Sequence, residues 1–98
     1  MKLIKIQYNN KPYNVLFAKT QSETSSGMSI YSTPPNHGMF FILTNPGFLN
    51  MRAMLFPLFV VFFDFYLNTL SSGVFYPGTS HKMPDKTYYM LELPLHII

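Results

Sequence analysis

Four carboxylates, Glu23, Asp64, Asp85 and Glu92, and three histidines, His37, His81 and His96, are the groups in this sequence that could run acid–base or metal chemistry near neutral pH. A general acid and a general base must converge in one cleft, yet each informative carboxylate has a nearer structural use. Glu23 stands three residues after Thr20, the spacing of a capping box in which each residue's side chain accepts from the other's backbone amide. Asp64 closes an apolar run, where a carboxylate accepts turn amides or pairs with Arg52, Lys82 or Lys86. Glu92 alternates with Tyr88 and Met90 along a strand and is expected to face water. The histidines lack the close spacing and the Cys or carboxylate companions of a metal motif. Zero cysteines exclude thiolate chemistry and disulfides. Gly27-Met28-Ser29-Ile30-Tyr31 lacks the last glycine of a nucleophile elbow, and no glycine-rich run precedes a Lys-Ser or Lys-Thr pair. The expectation is a protein without catalysis, metal or cofactor.

Arg52 is the one arginine, set beside a long apolar run. It can anchor an anion through a charge-assisted, bidentate contact, or pair internally with Asp64. Four of the seven cationic residues, Lys2, Lys5, Lys11 and Lys19, lie in the first twenty positions. They read as the solvated face of a strand that resists edge-to-edge aggregation, so no nucleic-acid partner is expected.

These groups need a scaffold, and 98 residues supply one domain, residues 1–98, whose folding buries about 60 to 65 % of the unfolded chain's surface. With 48 % hydrophobic and 11 % charged residues, disorder is excluded. Residues 2–8 alternate, with Ile4, Ile6 and Tyr8 on one face; the turn at Asn9-Asn10-Lys11-Pro12 leads into a second strand over Tyr13 to Ala18. The capping box predicts a short helix that Gly27 ends, and Thr33-Pro34-Pro35-Asn36-His37-Gly38 is a loop. Met39 to Leu43 is an apolar strand closed by a turn at Asn45-Pro46-Gly47. Ala53 to Phe63 is an eleven-residue apolar run, too short to span a bilayer as a helix, and its β-branched and aromatic end reads as a buried strand entered at Pro57. These two apolar runs are expected to be adjacent central strands. A short strand near Val74 to Tyr76, a polar loop over 79–86 and an alternating strand over Thr87 to Leu93 complete a mainly β fold: a compact, barrel-like sheet of five or six strands with one short helix.

In order along the chain, these landmarks resemble domain-of-unknown-function family 192. The resemblance rests on Thr20 to Met28, on Pro34 and Gly38-Met39-Phe40-Phe41, on Asn50-Met51-Arg52-Ala53 running through Pro57-Leu58 to Asp64, and on Tyr89-Met90-Leu91-Glu92-Leu93. It covers about residues 13–94. Asn50 stands where the family motif carries tryptophan, Ala53 where it carries asparagine, Phe59 where it carries aspartate, and Ile30 where it carries arginine. What the resemblance implies is a compact, mainly β fold with a lost or remodelled pocket, and no reaction.

Ten phenylalanines, seven tyrosines and seven methionines exceed what so small a core readily hides. This surplus, with the apolar end Pro94-Leu95-His96-Ile97-Ile98, points to a binding or assembly module that associates with itself or with a protein partner. The abundance of Asn, Lys, Ile, Phe and Tyr against one arginine is what AT-rich coding produces in a virus, an organelle or a marine bacterium, and a phage component is the expectation. Met1-Lys2-Leu3-Ile4-Lys5 is not a signal peptide, which favours a cytoplasmic or virion-associated place. Two alternatives stand beside this reading. One is a small subunit of a membrane complex, with residues 39–67 inserted as a helix. The other is an anion pocket formed by Met51, Arg52, Asp64 and His37.

Overall fold

The computed structural model describes residues 1–43 and 46–98; the turn expected at Asn45-Pro46-Gly47 therefore begins outside the described residues. The chain opens with a hairpin of β1 (Lys2–Tyr8) and β2 (Lys11–Ala18), in register from Lys2 opposite Phe17 to Tyr8 opposite Lys11. Asn9 and Asn10 form its two-residue loop with φ of 55° and 65°, the left-handed geometry that matches strand twist and that asparagine tolerates. The capping box is present: Thr20 Oγ1 accepts from the Glu23 amide at 3.1 Å, and Glu23 Oε1 accepts from the Thr20 amide at 3.2 Å. It starts α1 (Gln21–Ser26), which buries none of its own residues. A 3₁₀ turn, Gly27–Ile30, continues it and buries Gly27 and Met28. This segment is the crossover that allows β3 (Gly38–Ile42) to run parallel to β2.

The remaining strands are β4 (Phe48–Asn50), β5 (Leu58–Phe63), β6 (Thr69–Phe75), β7 (Ser80–Lys82) and β8 (Tyr89–Pro94). Six form one sheet in the order β1-β2-β3-β8-β5-β6, antiparallel except for β2 with β3, while β4 and β7 pair separately. The fold is mainly β with one short α-helix, as the sequence suggests, but the large sheet does not close: β1 and β6 are its edges, so it is not a barrel. Those edges carry exposed Lys2 and Lys5 on one side and Ser71 and Ser72 on the other.

One expectation about the sheet is corrected. β3 and β5 are not neighbours, because β8 lies between them, with Glu92 opposite Met39 on one side and Val60 on the other. The alternation of β8 suggested a strand half in water; five of its six residues are buried. Residues 39–67 contain β3, β4 and β5 rather than an inserted helix, and among the described residues no helix is long and apolar enough to cross a membrane.

Alternation sorts the core into two clusters on opposite faces of the sheet. One holds Ala18, Met28, Met39, Phe41, Leu58, Val60, Phe62 and Met90 with Leu49, Met51, Met54 and Phe56. The other holds Tyr13, Val15, Val61, Phe63, Leu91 and Leu93. Gly38 is required by a close approach: a Cβ there would lie 2.6 Å from both the Glu92 carbonyl oxygen and a Leu93 methyl.

Candidate ligand cavity

Glu92 is a strand residue whose neighbours on its own face are Met90 and Pro94, so the pleat turns its carboxyl into the methionine-rich cluster. Only 4 % of the residue is exposed. Among the described residues Oε1 has no hydrogen-bond partner. Burial pushes the carboxyl up to about 8, against the smaller, opposing pull of the Met28 backbone amide that points at it. At neutral pH Glu92 is thus mostly a protonated acid, able to donate or, once ionised, to hold a positive charge.

This carboxyl lines a cavity of about 340 Å³, within the range of small-ligand sites. One wall is the end of α1 and the 3₁₀ turn, residues 24–29. The other comes from β4 and the residues after it, with Met83 and Met90 completing the lining. Five of the seven methionines, Met28, Met51, Met54, Met83 and Met90, border it. An adjoining depression of about 360 Å³ shares Thr24, Ser25, Leu43, Phe48 and Met83 with it.

Gly27 turns the chain from α1 into the 3₁₀ turn with φ 51° and ψ −143°, a conformation that strains any residue bearing a Cβ. A Cβ at Gly27 would stand 3.6 Å from the Phe41 ring and 3.7 Å from Glu92 Oε1. The glycine therefore brings backbone up to the acid without filling the space beside it.

Of the four residues expected to share a pocket, the structure brings one to this cavity. Met51 lines it and is buried. Arg52 is exposed and does not border it; its backbone amide donates to Asn50 Oδ1 at 2.9 Å. Asp64 is elsewhere, capping the β5–β6 loop: its Oδ1 accepts from the Tyr66 and Asn68 amides, each at 2.9 Å, and its Oδ2 from Asn68 Nδ2 at 3.1 Å. The Asn68 amide holds that carboxyl below its usual range. Arg52 and Asp64 form no ion pair among the described residues. His37 is spent on the loop before β3. Its Nδ1 is 2.9 Å from the Gly38 carbonyl and must donate to it, which leaves Nε2 to accept from the Tyr31 hydroxyl at 3.1 Å. Among the described residues no three His, Asp or Glu side chains converge as a metal site would need.

The expectation that Glu92 faces water is overturned by its burial. Two signals in the sequence pointed the other way: a lone charge flanked on both sides by leucine, and a methionine content concentrated around the helix exit, residues 51–54 and the last strand.

The chain matches no family model and no curated relative. It is similar to two solved bacterial structures. One is a protein of unknown function from Novosphingobium aromaticivorans DSM 12444, at a TM-score of 0.72 and 19 % identity, covering 94 % of this chain and 71 % of that one. The other, from Sinorhizobium meliloti 1021, is described as a candidate transcription regulator; its TM-score is 0.75 at 22 % identity, covering 94 % of this chain and 76 % of that one. At these identities the likeness is one of fold.

Proposed function

We propose that this domain is a non-catalytic binding module that takes a small ligand into the Glu92 cavity. The observation that carries the reading is a buried carboxyl, on a residue of the cavity wall, whose Oε1 has no hydrogen-bond partner among the described residues. Buried polar atoms are almost always paired, and an unpaired one costs about 1 to 3 kcal/mol or more, so such an atom beside an open volume marks a place where a partner arrives from outside. No second titratable side chain borders the cavity among the described residues, which supports binding over acid–base catalysis. The resemblance to family 192 supports the same place: Gly27-Met28, Met51, Met90 and Glu92 belong to its motifs and meet at the cavity, and Asn50, at the motif's tryptophan position, lines it.

The test is a titration of the protein, labelled at its methionine methyls, with a set of cationic, neutral and anionic aromatic fragments. Signals of Met28, Met51, Met54, Met83 and Met90 should move while those of Met1 and Met39, which do not border the cavity, stay still. Unmoved methyls throughout the set would remove this reading.

A second reading, self-association, is favoured by one observation. The loop after β5 exposes Phe65, Tyr66 and Leu67, Tyr66 to 80 %, and Phe65 meets half-exposed Tyr88 edge-on at 5.0 Å. A second copy stacking on this tip would be seen as a dimer in light scattering that Tyr66→Ser dissolves; a monomer at every concentration would count decisively against it.

A further inference from the structure

We infer that the ligand of the Glu92 cavity is a monovalent organic cation, an ammonium group on a small apolar frame; this rests on the cavity being a ligand site, as proposed above. No lysine, arginine or histidine borders the cavity among the described residues. Thr24 Oγ1 donates to the Gln21 carbonyl at 3.0 Å and Ser29 Oγ donates to the Ser26 carbonyl, so both hydroxyls have spent their protons and keep lone pairs. Five thioether sulfurs add weak acceptors on a polarizable, adaptable surface. Asn50 is partly committed, its Oδ1 accepting from Arg52. The strongest free group is Glu92 Oε1. Ser25, Ser26 and the Asn50 amide nitrogen add donors, and among the described residues no wall group carries a positive charge.

An anion meets a lining without a cation and a carboxyl that must keep its proton to receive it. A neutral ligand can hydrogen-bond to the wall hydroxyls and to the protonated acid, but it leaves no charge to pair with an ionised Glu92. An ammonium supplies the partner that a buried carboxylate otherwise lacks, and the methionine walls cover its apolar frame. The step balances simply: the Glu92 carboxyl gives its proton to solvent, the ammonium enters with its positive charge, and the site goes from neutral acid to neutral ion pair. Met39 on β3 and Val60 on β5 stand opposite Glu92, Gly27 and the Met28 backbone of the 3₁₀ turn lie beside its carboxyl with the Phe41 ring, and Leu49 and Asn50 of β4 share the cavity lining; none of these carries a titratable side chain. Glu23 on α1 and His81 and Lys82 on β7 do not border the cavity.

Benzylammonium, benzyl alcohol and benzoate share a frame and differ in charge, which makes them the probes. Their affinities for the intact protein are measured by calorimetry at about pH 6.5 and about pH 8.5, in two buffers of different ionisation enthalpy. Benzylammonium should bind at least about tenfold more tightly than the other two at the higher pH, should tighten about twentyfold between the two pH values, and should release close to one proton near neutrality. Glu92→Gln should abolish its advantage and its pH dependence. A preference for the alcohol or for benzoate, no proton release, or an unchanged preference in Glu92→Gln overturns the cation and leaves the cavity reading standing. Failure of all three probes to bind or to move any cavity methionine defeats both. The proton count on the unsubstituted protein decides the matter even if the variant does not fold.

Discussion

The two faces of the six-stranded sheet are packed by different chemistry. On the face of Val61 and Phe63, rings interlock: Tyr8 meets Phe63 edge-on at 6.1 Å, and Phe40 stacks on Tyr89 at 5.5 Å. β-Branched and aromatic side chains have few rotamers, so such a core fills its space and closes. On the face of Val60 and Phe62, methionines carry much of the packing and a cavity stays open beside a buried acid. Unbranched thioethers bend around irregular space. One sheet thus supports a closed side that holds the fold together and a hollow side that can admit a guest.

The largest expected effect tests whether the hollow side really buries an acid. The unfolded chain gives up the Glu92 proton near 4.5, whereas the folded chain holds it to about 8. The unfolded state therefore binds fewer protons between those values, and stability falls as pH rises through that window. The full loss is roughly 5 kcal/mol. Glu92→Gln should abolish that loss, so denaturant unfolding at pH 5 and pH 9 should show the variant gaining on its parent by several kcal/mol at the higher pH. Parallel pH profiles would place the carboxyl in water and end the comparison.

Next in size are two neighbours on β5 that point to opposite faces. Phe62→Ala and Phe63→Ala should each cost about 3 to 5 kcal/mol through lost burial and a new cavity. Phe63 should cost more, since methionines can relax into the space Phe62 leaves while the interlocked rings around Phe63 cannot. Equal costs would show that the two cores are equally rigid.

Much of this scaffold is legible in the sequence for local reasons. The Asn9-Asn10 turn, the Thr20 capping box, the stop at Gly27 and the entry to β5 at Pro57 each depend on residues within a few positions of one another, and each stands where its chemistry puts it. The order of strands depends on partners far apart in sequence, and there the apolar runs misled: β8 has only an alternating pattern, yet it takes the centre between β3 and β5. The site was hidden for the same reason. Glu92 on an alternating strand has the pattern of a solvated face until the 3₁₀ turn, β4 and residues 51–54 are brought over it. Arg52 and Asp64, the more conspicuous charges, are exposed at a turn and satisfied by a loop.

Smaller effects sharpen the same contrast. α1 forms part of the cavity wall with no buried side chain, so its capping box carries an unusual share of its stability. Thr20→Ala should cost about 1 kcal/mol globally and raise hydrogen exchange most at residues 23–28, leaving the amides of β5 and β8 protected. Uniformly faster exchange would mean that the wall and the sheet open together. At the far edge, Lys5→Ala on exposed β1 should stay within about 0.5 kcal/mol of the parent.

The most direct measurement is a carboxyl-carbon NMR titration of the four acidic side chains between pH 3 and pH 10. The account predicts that Glu92 titrates near 8 while Asp64 and Glu23 titrate below their ordinary values, each held down by backbone amides. A Glu92 midpoint near 4.5, in line with a solvated carboxylate, would contradict the buried acid on which the ligand site depends.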